Sequence, residues 1–86
     1  MAHVQVYTTA VCPFCVRAKR LLQARGIAYE EIDVGNDPEE RAEVVRRSGR
    51  RTVPQIFIDG DAVGGYEELA RLDASGELAR RMASGA

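Results

Sequence analysis

The sequence is poor in the residues that build metal centres and disulfide frameworks. It has two cysteines, one histidine and no tryptophan in 86 residues. A zinc site needs four protein ligands, or three plus water. Cys12 and Cys15 have only His3, on a different element, to join them, so no metal site is expected. Net charge is −1, so no overall field recruits nucleic acid or an anionic membrane surface. No apolar run approaches the ~20 residues of a membrane span. The start, Met1-Ala2-His3-Val4-Gln5, lacks the basic segment and apolar stretch of a secretory leader, and none is expected. Repeats and low-complexity tracts are missing too. Of twelve basic residues only Lys19 is lysine, a bias that speaks of genome composition more than of function. Residues 1–86 therefore read as one small domain with a modest core. A 45% apolar and 29% charged share is ordinary for a soluble globular chain.

What is present is Cys12-Pro13-Phe14-Cys15, between a strand-like and a helix-like run. Thiols at i and i+3 across the first turn of a helix lie close enough to form a disulfide with little backbone movement. Pro13 suits the first helical position, where its missing N–H is no loss. That puts Cys12 at the N-cap, where free N–H groups and the helix dipole favour a thiolate. The thiolate is the nucleophile of disulfide exchange, so position nominates Cys12 to attack and Cys15 to resolve. The competing readings are two buried small hydrophobes, or a permanent disulfide, which over so short a loop constrains the unfolded chain little. With no leader expected, a redox pair is favoured.

The rest of the chain divides cleanly. His3–Thr8 alternates as a first strand, with Val4 and Val6 on one side and Gln5 and Tyr7 on the other. Pro13 to about Arg25 is a helix with Phe14, Ala18, Leu21 and Leu22 as its apolar stripe and Gly26 beyond its end. Arg17 and Lys19 on this helix either support a thiolate or simply face water. Ile27–Val34 reads as a second strand, interrupted by Glu30 and Glu31. Asp37 caps a second helix, with Pro38 at its first position, capping-box spacing to Glu40, Arg46 and Arg47 in its last turn and Gly49 after it. Gln55–Ile58 and Asp61–Gly64 form a hairpin about Asp59-Gly60. A third helix starts at Tyr66 or Glu67 with Leu69 and Leu72 inward. Ser75 caps a last helical piece through Leu78 and Met82, and Ala83–Ala86 is expected to fray. The order is βαβ, α, ββ, α. The βαβ half is parallel and right-handed, and the hairpin joins the same sheet.

Tyr7-Thr8, Cys12-Pro13-Phe14-Cys15, Arg47-Ser48-Gly49-Arg50, Thr52-Val53-Pro54-Gln55-Ile56-Phe57-Ile58 and Gly64-Gly65-Tyr66 together resemble the dithiol, bacterial-type glutaredoxins over residues 3 to 80. The resemblance implies an α/β thioredoxin-like fold: a four-stranded mixed sheet of order 2-1-3-4, flanked by helices on both faces. It implies a glutathione-dependent thiol–disulfide oxidoreductase in the cytoplasm, with glutathione as co-substrate and no permanently bound cofactor. Its partners would be disulfide or glutathionylated proteins, with ribonucleotide reductase a candidate and glutathione reductase acting indirectly. It would work as a monomer, without nucleic acid or membrane.

For the site, the resemblance implies a cis Pro54 that turns the backbone of Val53 toward the cysteines, where it would pair with the cysteinyl unit of glutathione. Thr52 and Phe14 would line the same cleft. Gly64-Gly65 would let the ligand's main chain approach, and the N–H groups of Tyr66 and Glu67 would take the γ-glutamyl carboxylate. Arg51 is either the partner of the glycyl carboxylate or one of several solvated arginines. Three positions depart from the common pattern: Phe14 for tyrosine, Thr9 for lysine and Glu67 for aspartate. Two other roles share this fold, a redoxin fed by thioredoxin reductase and an iron–sulfur carrier; Pro13 argues against the second.

Overall fold

Alternation in one short strand decides which helices lie on which side of the sheet. The computed structural model describes residues 2–84. In β1 (Val4–Thr8), Val4 and Val6 face one way and Tyr7 the other. Around it the sheet has the order β2-β1-β3-β4, with β2 spanning Glu30–Asp33, β3 Gln55–Ile58 and β4 Asp61–Gly64. The β1–β2 pair is parallel, with Val6 opposite Glu31. The β1–β3 and β3–β4 pairs are antiparallel. This is the expected order and mix of directions.

On the first face, Val4, Val6, Ile56 and Ile58 pack against Ala18 and Leu22 of α1 (Pro13–Ala24), Leu69 of α3 (Tyr66–Ala74) and Leu78 of α4 (Glu77–Ser84). On the second, Tyr7 and Phe57 pack with Val34 and with Val44 of α2 (Pro38–Ser48). Helices thus cover both faces. The second cluster is smaller and is closed by a cation: the Arg47 guanidinium lies 4.0 Å above the Phe57 ring and donates to the Tyr7 hydroxyl at 2.7 Å and to Gln5 Oε1 at 3.1 Å. Arg47 is more than a last-turn counter-charge, because its stem and head cover aromatic surface.

The boundaries differ from the sequence reading in instructive places. The second strand is Glu30–Asp33, not Ile27–Val34. Ile27 spends its N–H on Leu22 O at 2.9 Å, closing α1. Glu30 and Glu31 do not interrupt the strand, because it is a sheet edge with polar neighbours. Glu30 accepts from Gln5 Nε2 at 3.2 Å; Glu31 accepts from Thr8 Oγ1 at 2.8 Å and pairs with Lys19 Nζ at 2.9 Å. The Lys19 hydrogen bond holds the Glu31 carboxyl below the usual range, and Thr8 adds to it. The buried stripe of α1 is Cys15, Ala18 and Leu22, with Leu21 partly buried against the same core; Phe14 stands outside it, half exposed.

Asp37 caps α2, accepting from Glu40 N at 3.1 Å, and Gly49 ends it in the left-handed region at φ 74°. The return bond of a capping box is not made, because the Asp37 N–H points to Val34 O at 3.4 Å. Asp59 and Gly60 both have positive φ, 50° and 84°, as a two-residue hairpin turn of the primed kind requires. Ser75 is the C-cap of α3, and its Oγ also accepts from Glu77 N at 3.3 Å at the start of α4. The expected fraying from Ala83 is not seen up to Ser84, which is helical; Gly85 and Ala86 lie outside the described residues. Arg25, at the end of α1, forks onto Asp73 of α3 with two bonds of 2.9 Å, which hold the Asp73 carboxyl below its ordinary value.

Candidate active site

The loop from β1 delivers Cys12 to the opening of α1. Its backbone is extended, at φ −150° and ψ 102°, and Pro13 follows as the first helical residue. The Cys15 N–H donates to Cys12 Sγ at 3.1 Å, and Val16 N–H donates to Cys12 O at 3.1 Å. Sulfur here takes the place that a serine or aspartate oxygen usually holds at an N-cap. Cys12 and Cys15 are joined as a disulfide, with Cα atoms 5.1 Å apart. Their surroundings differ. Cys15 is buried among core residues, whereas Cys12 is half-buried and faces outward.

Opposite the sulfur runs the loop before β3. The Val53–Pro54 peptide is cis, and the Val53 carbonyl oxygen lies 3.8 Å from Cys12 Sγ. Gln55, almost fully buried, fixes this loop from beneath by donating to Thr52 O at 3.0 Å and Thr52 Oγ1 at 3.2 Å. A groove of about 240 Å³ opens between this loop and α3, lined by Phe14, Thr52, Val53, Pro54, Gly65, Tyr66 and Glu67 together with Arg50 and Glu68. The Phe14 and Tyr66 rings stand 6.3 Å apart at one end, with the Arg17 guanidinium 5.3 Å from Phe14. The N–H groups in the first turn of α3 have no acceptor within the helix and edge the same groove.

The two glycines have an internal reason to be glycine. A Cβ on Gly64, whose φ is +118°, would come within 2.7 Å of Glu68 Oε1; on Gly65 it would meet Pro54 O at 3.4 Å. They make room for Glu68 and for the proline loop, rather than for a ligand's main chain alone. Glu68 reaches back so that its Oε1 accepts from Gly65 N–H at 2.7 Å. Glycine has no side chain to return the bond, so the first turn keeps its N–H groups open.

Of the two sequence readings of Arg51, a contact to the glycyl carboxylate or a solvated arginine, the structure places it exposed and outside the lining of this groove. Arg51 lines a separate hollow with Arg41, Ala42 and Val45, and the groove wall belongs to Arg50. In an extended segment adjacent side chains point opposite ways, so a count of one residue changes the side. Glu68 was also missed, although its spacing from Gly65 is that of a capping box. Lys19 is committed to Glu31 rather than to the cysteines. Among the described residues no group of three or more His, Cys, Asp or Glu is placed to hold a metal ion, and no helix is long and apolar enough to cross a membrane. The described large apolar residues that stay exposed are Val11 at 93%, Phe14 at 49% and Val16 at 40%. All lie within four positions of Cys12 in the chain.

The glutaredoxin family model matches residues 4–63. Glutaredoxin 3 of Escherichia coli K12 is 47% identical over 78 residues, covering 91% of this chain and 94% of that protein. The solution structure of glutaredoxin from Brucella melitensis is 48% identical with a TM-score of 0.82, covering 93% of this chain and 87% of that one. A buckwheat glutaredoxin crystallised as a complex with glutathione is 27% identical with a TM-score of 0.83, covering 91% of this chain and 74% of that one.

Proposed function

The chain belongs to the glutaredoxin family and is a glutathione-dependent thiol–disulfide oxidoreductase; from that premise we propose that Cys12 is its attacking thiol, Cys15 its resolving thiol, and the groove beside them its glutathione site. The observation that carries the assignment is the position of Cys12 Sγ. It sits at the N-cap of α1, receives a backbone N–H at 3.1 Å, and lies 3.8 Å from Val53 O at the groove wall.

In the one-thiol route the Cys12 thiolate attacks the glutathione sulfur of a protein–glutathione disulfide. That S–S bond breaks, the protein thiolate leaves and takes a proton, and a Cys12–glutathione disulfide forms. The thiolate of a second glutathione attacks the bound glutathione sulfur, releasing glutathione disulfide and restoring the Cys12 thiolate. In the two-thiol route Cys12 attacks a protein disulfide and Cys15 attacks Cys12. The substrate leaves as a dithiol and the enzyme as the Cys12–Cys15 disulfide, the state in this structure. Two glutathiones then reduce it. A potential of about −200 to −230 mV goes with the class.

Within the groove, Val53 offers backbone to the cysteinyl unit of glutathione, in the manner of an added strand. Thr52, Pro54 and Phe14 line its path, and Gly65, Tyr66 and Glu67 receive the γ-glutamyl end at the opening of α3. We take residues 1–86 as one domain acting as a monomer in the cytoplasm, where glutathione keeps thiols reduced. Glutathione reductase regenerates the pool, and ribonucleotide reductase is a candidate among the protein disulfides reduced. The test is the source of electrons. With NADPH, glutathione plus glutathione reductase should reduce the Cys12–Cys15 disulfide and sustain turnover. Reduction only by thioredoxin reductase would sink the glutathione assignment.

A further inference from the structure

We propose that Arg50, oriented by Glu68, takes the α-carboxylate of glutathione's γ-glutamyl unit, so that this end of the ligand is read by a side-chain cation as well as by the helix N–H groups. The inference rests on the glutathione site proposed above and adds two residues to it.

Arg50 and Glu68 both line the groove, one following α2 and the other in the first turn of α3. Arg50 Nη1 donates to Glu68 Oε1 at 3.0 Å, and the same oxygen accepts the Gly65 N–H at 2.7 Å. These bonds, Gly65 first and Arg50 second, hold the Glu68 carboxyl below its usual range. Gly64 leaves the space this carboxylate fills, since a Cβ there would sit 2.7 Å from Oε1. Arg50's backbone is tied as well: its N–H donates to Ser48 Oγ at 3.0 Å, and that hydroxyl donates in turn to Val44 O at 2.6 Å. The residue is therefore held at its backbone and at Nη1, while Nε and Nη2 have no hydrogen-bond partner among the described residues. A planar fork with spare donors on a groove wall is a carboxylate receptor.

Charge selects which end of the tripeptide it meets. Around the start of α3 the groove lining brings together one cation, Arg50, and two acids, Glu67 and Glu68. Glu68 is occupied by Gly65 and Arg50, whereas Glu67 is exposed and at 3.7 Å from Arg71 is only loosely paired. The glycyl end of glutathione carries a lone carboxylate, which two acids would repel. The γ-glutamyl end carries a carboxylate and an ammonium on one carbon, which matches a guanidinium beside a free carboxylate. Glu68 is a positioning residue in this account, and Arg50 is the contact.

The test uses steady-state reduction of a glutathionylated peptide, with glutathione or its glycyl monoethyl ester in the peptide disulfide. Arg50→Gln should raise KM about tenfold, the size of a lost charge-assisted hydrogen bond, with kcat within about twofold. The rise should persist with the glycyl ester. Glu68→Gln keeps an oxygen for the Gly65 N–H but loses the charge facing Arg50; KM should rise several-fold, and Arg50→Gln/Glu68→Gln should be no worse than Arg50→Gln alone. If Arg50→Gln melts too low to assay, Arg50→Lys keeps the charge without the fork and should show a smaller rise in KM. Unchanged KM in Arg50→Gln or Arg50→Lys, a penalty that vanishes with the ester, or a larger loss in Arg51→Gln would overturn the inference while leaving the glutathione assignment intact. A wild-type protein with no preference for glutathionylated over other mixed disulfides would instead sink the assignment beneath it.

Discussion

Cys12→Ser is expected to lower both protein-disulfide reduction and deglutathionylation to the uncatalysed background, whereas Cys15→Ser should lose the first and keep the second. The asymmetry follows from where the two sulfurs sit. Cys15 is 1% exposed and packs with the stripe of α1 that faces the core, so no external disulfide reaches it. It can reach only Cys12, whose Cα is 5.1 Å away. Cys12 is only half-buried, and its Sγ lies 3.8 Å from Val53 O at the groove wall. The one-thiol route uses Cys12 alone, with a second glutathione in place of the internal thiol, so Cys15→Ser removes nothing that this route needs. Coupled assays on a glutathionylated peptide and on a protein disulfide separate the routes. Residual turnover in Cys12→Ser, or loss of deglutathionylation in Cys15→Ser, would contradict the division of roles.

The largest effect on stability is expected at Phe57→Ala, on the face of the sheet away from the cysteines. Phe57 is 1% exposed and meets Tyr7 edge-on at 5.5 Å between ring centres. The Arg47 head covers its other side at 4.0 Å. Removing a buried aromatic ring costs about 3–5 kcal/mol through lost transfer energy and an unfilled cavity. Here it also takes the floor from under Arg47, whose charge then lies over empty space. Small domains hold only ~5–15 kcal/mol in total, so the variant should be near its unfolding midpoint under mild urea. Phe57→Leu keeps most of the volume and should cost about half as much or less. Urea titrations with a shared slope measure both. A loss below about 1 kcal/mol in Phe57→Ala would mean that the smaller cluster adds little to the fold.

Much of this was legible in the sequence because the signals were local. The capped ends of α2 at Asp37, Pro38 and Gly49, and the Asp59-Gly60 turn, are short-range chemistry that tertiary packing left in place. Cys12 and Pro13 gave the start of α1 for the same reason. The misreadings depended on neighbours distant in sequence. Glu30 and Glu31 look wrong for a strand until Gln5, Thr8 and Lys19 are set beside them. Phe14 fits a helical stripe by spacing, but the site at the helix opening holds it outside the core. Arg50 and Arg51 are indistinguishable as letters; which one faces the groove depends on the turn after Gly49 and on Glu68 eighteen positions further on. Pairings across walls of a groove are what a one-dimensional pattern conveys least well.

The central claim is that the fold makes one sulfur acidic by placing it at a helix opening, and the acidity of Cys12 tests it most directly. In Cys15→Ser the only thiol is Cys12, so its iodoacetamide alkylation rate against pH titrates that group alone. The account predicts a midpoint within the ~3.5–7.5 range of cysteines at helix N-termini. A midpoint near the ~8.5 of a free cysteine would contradict it.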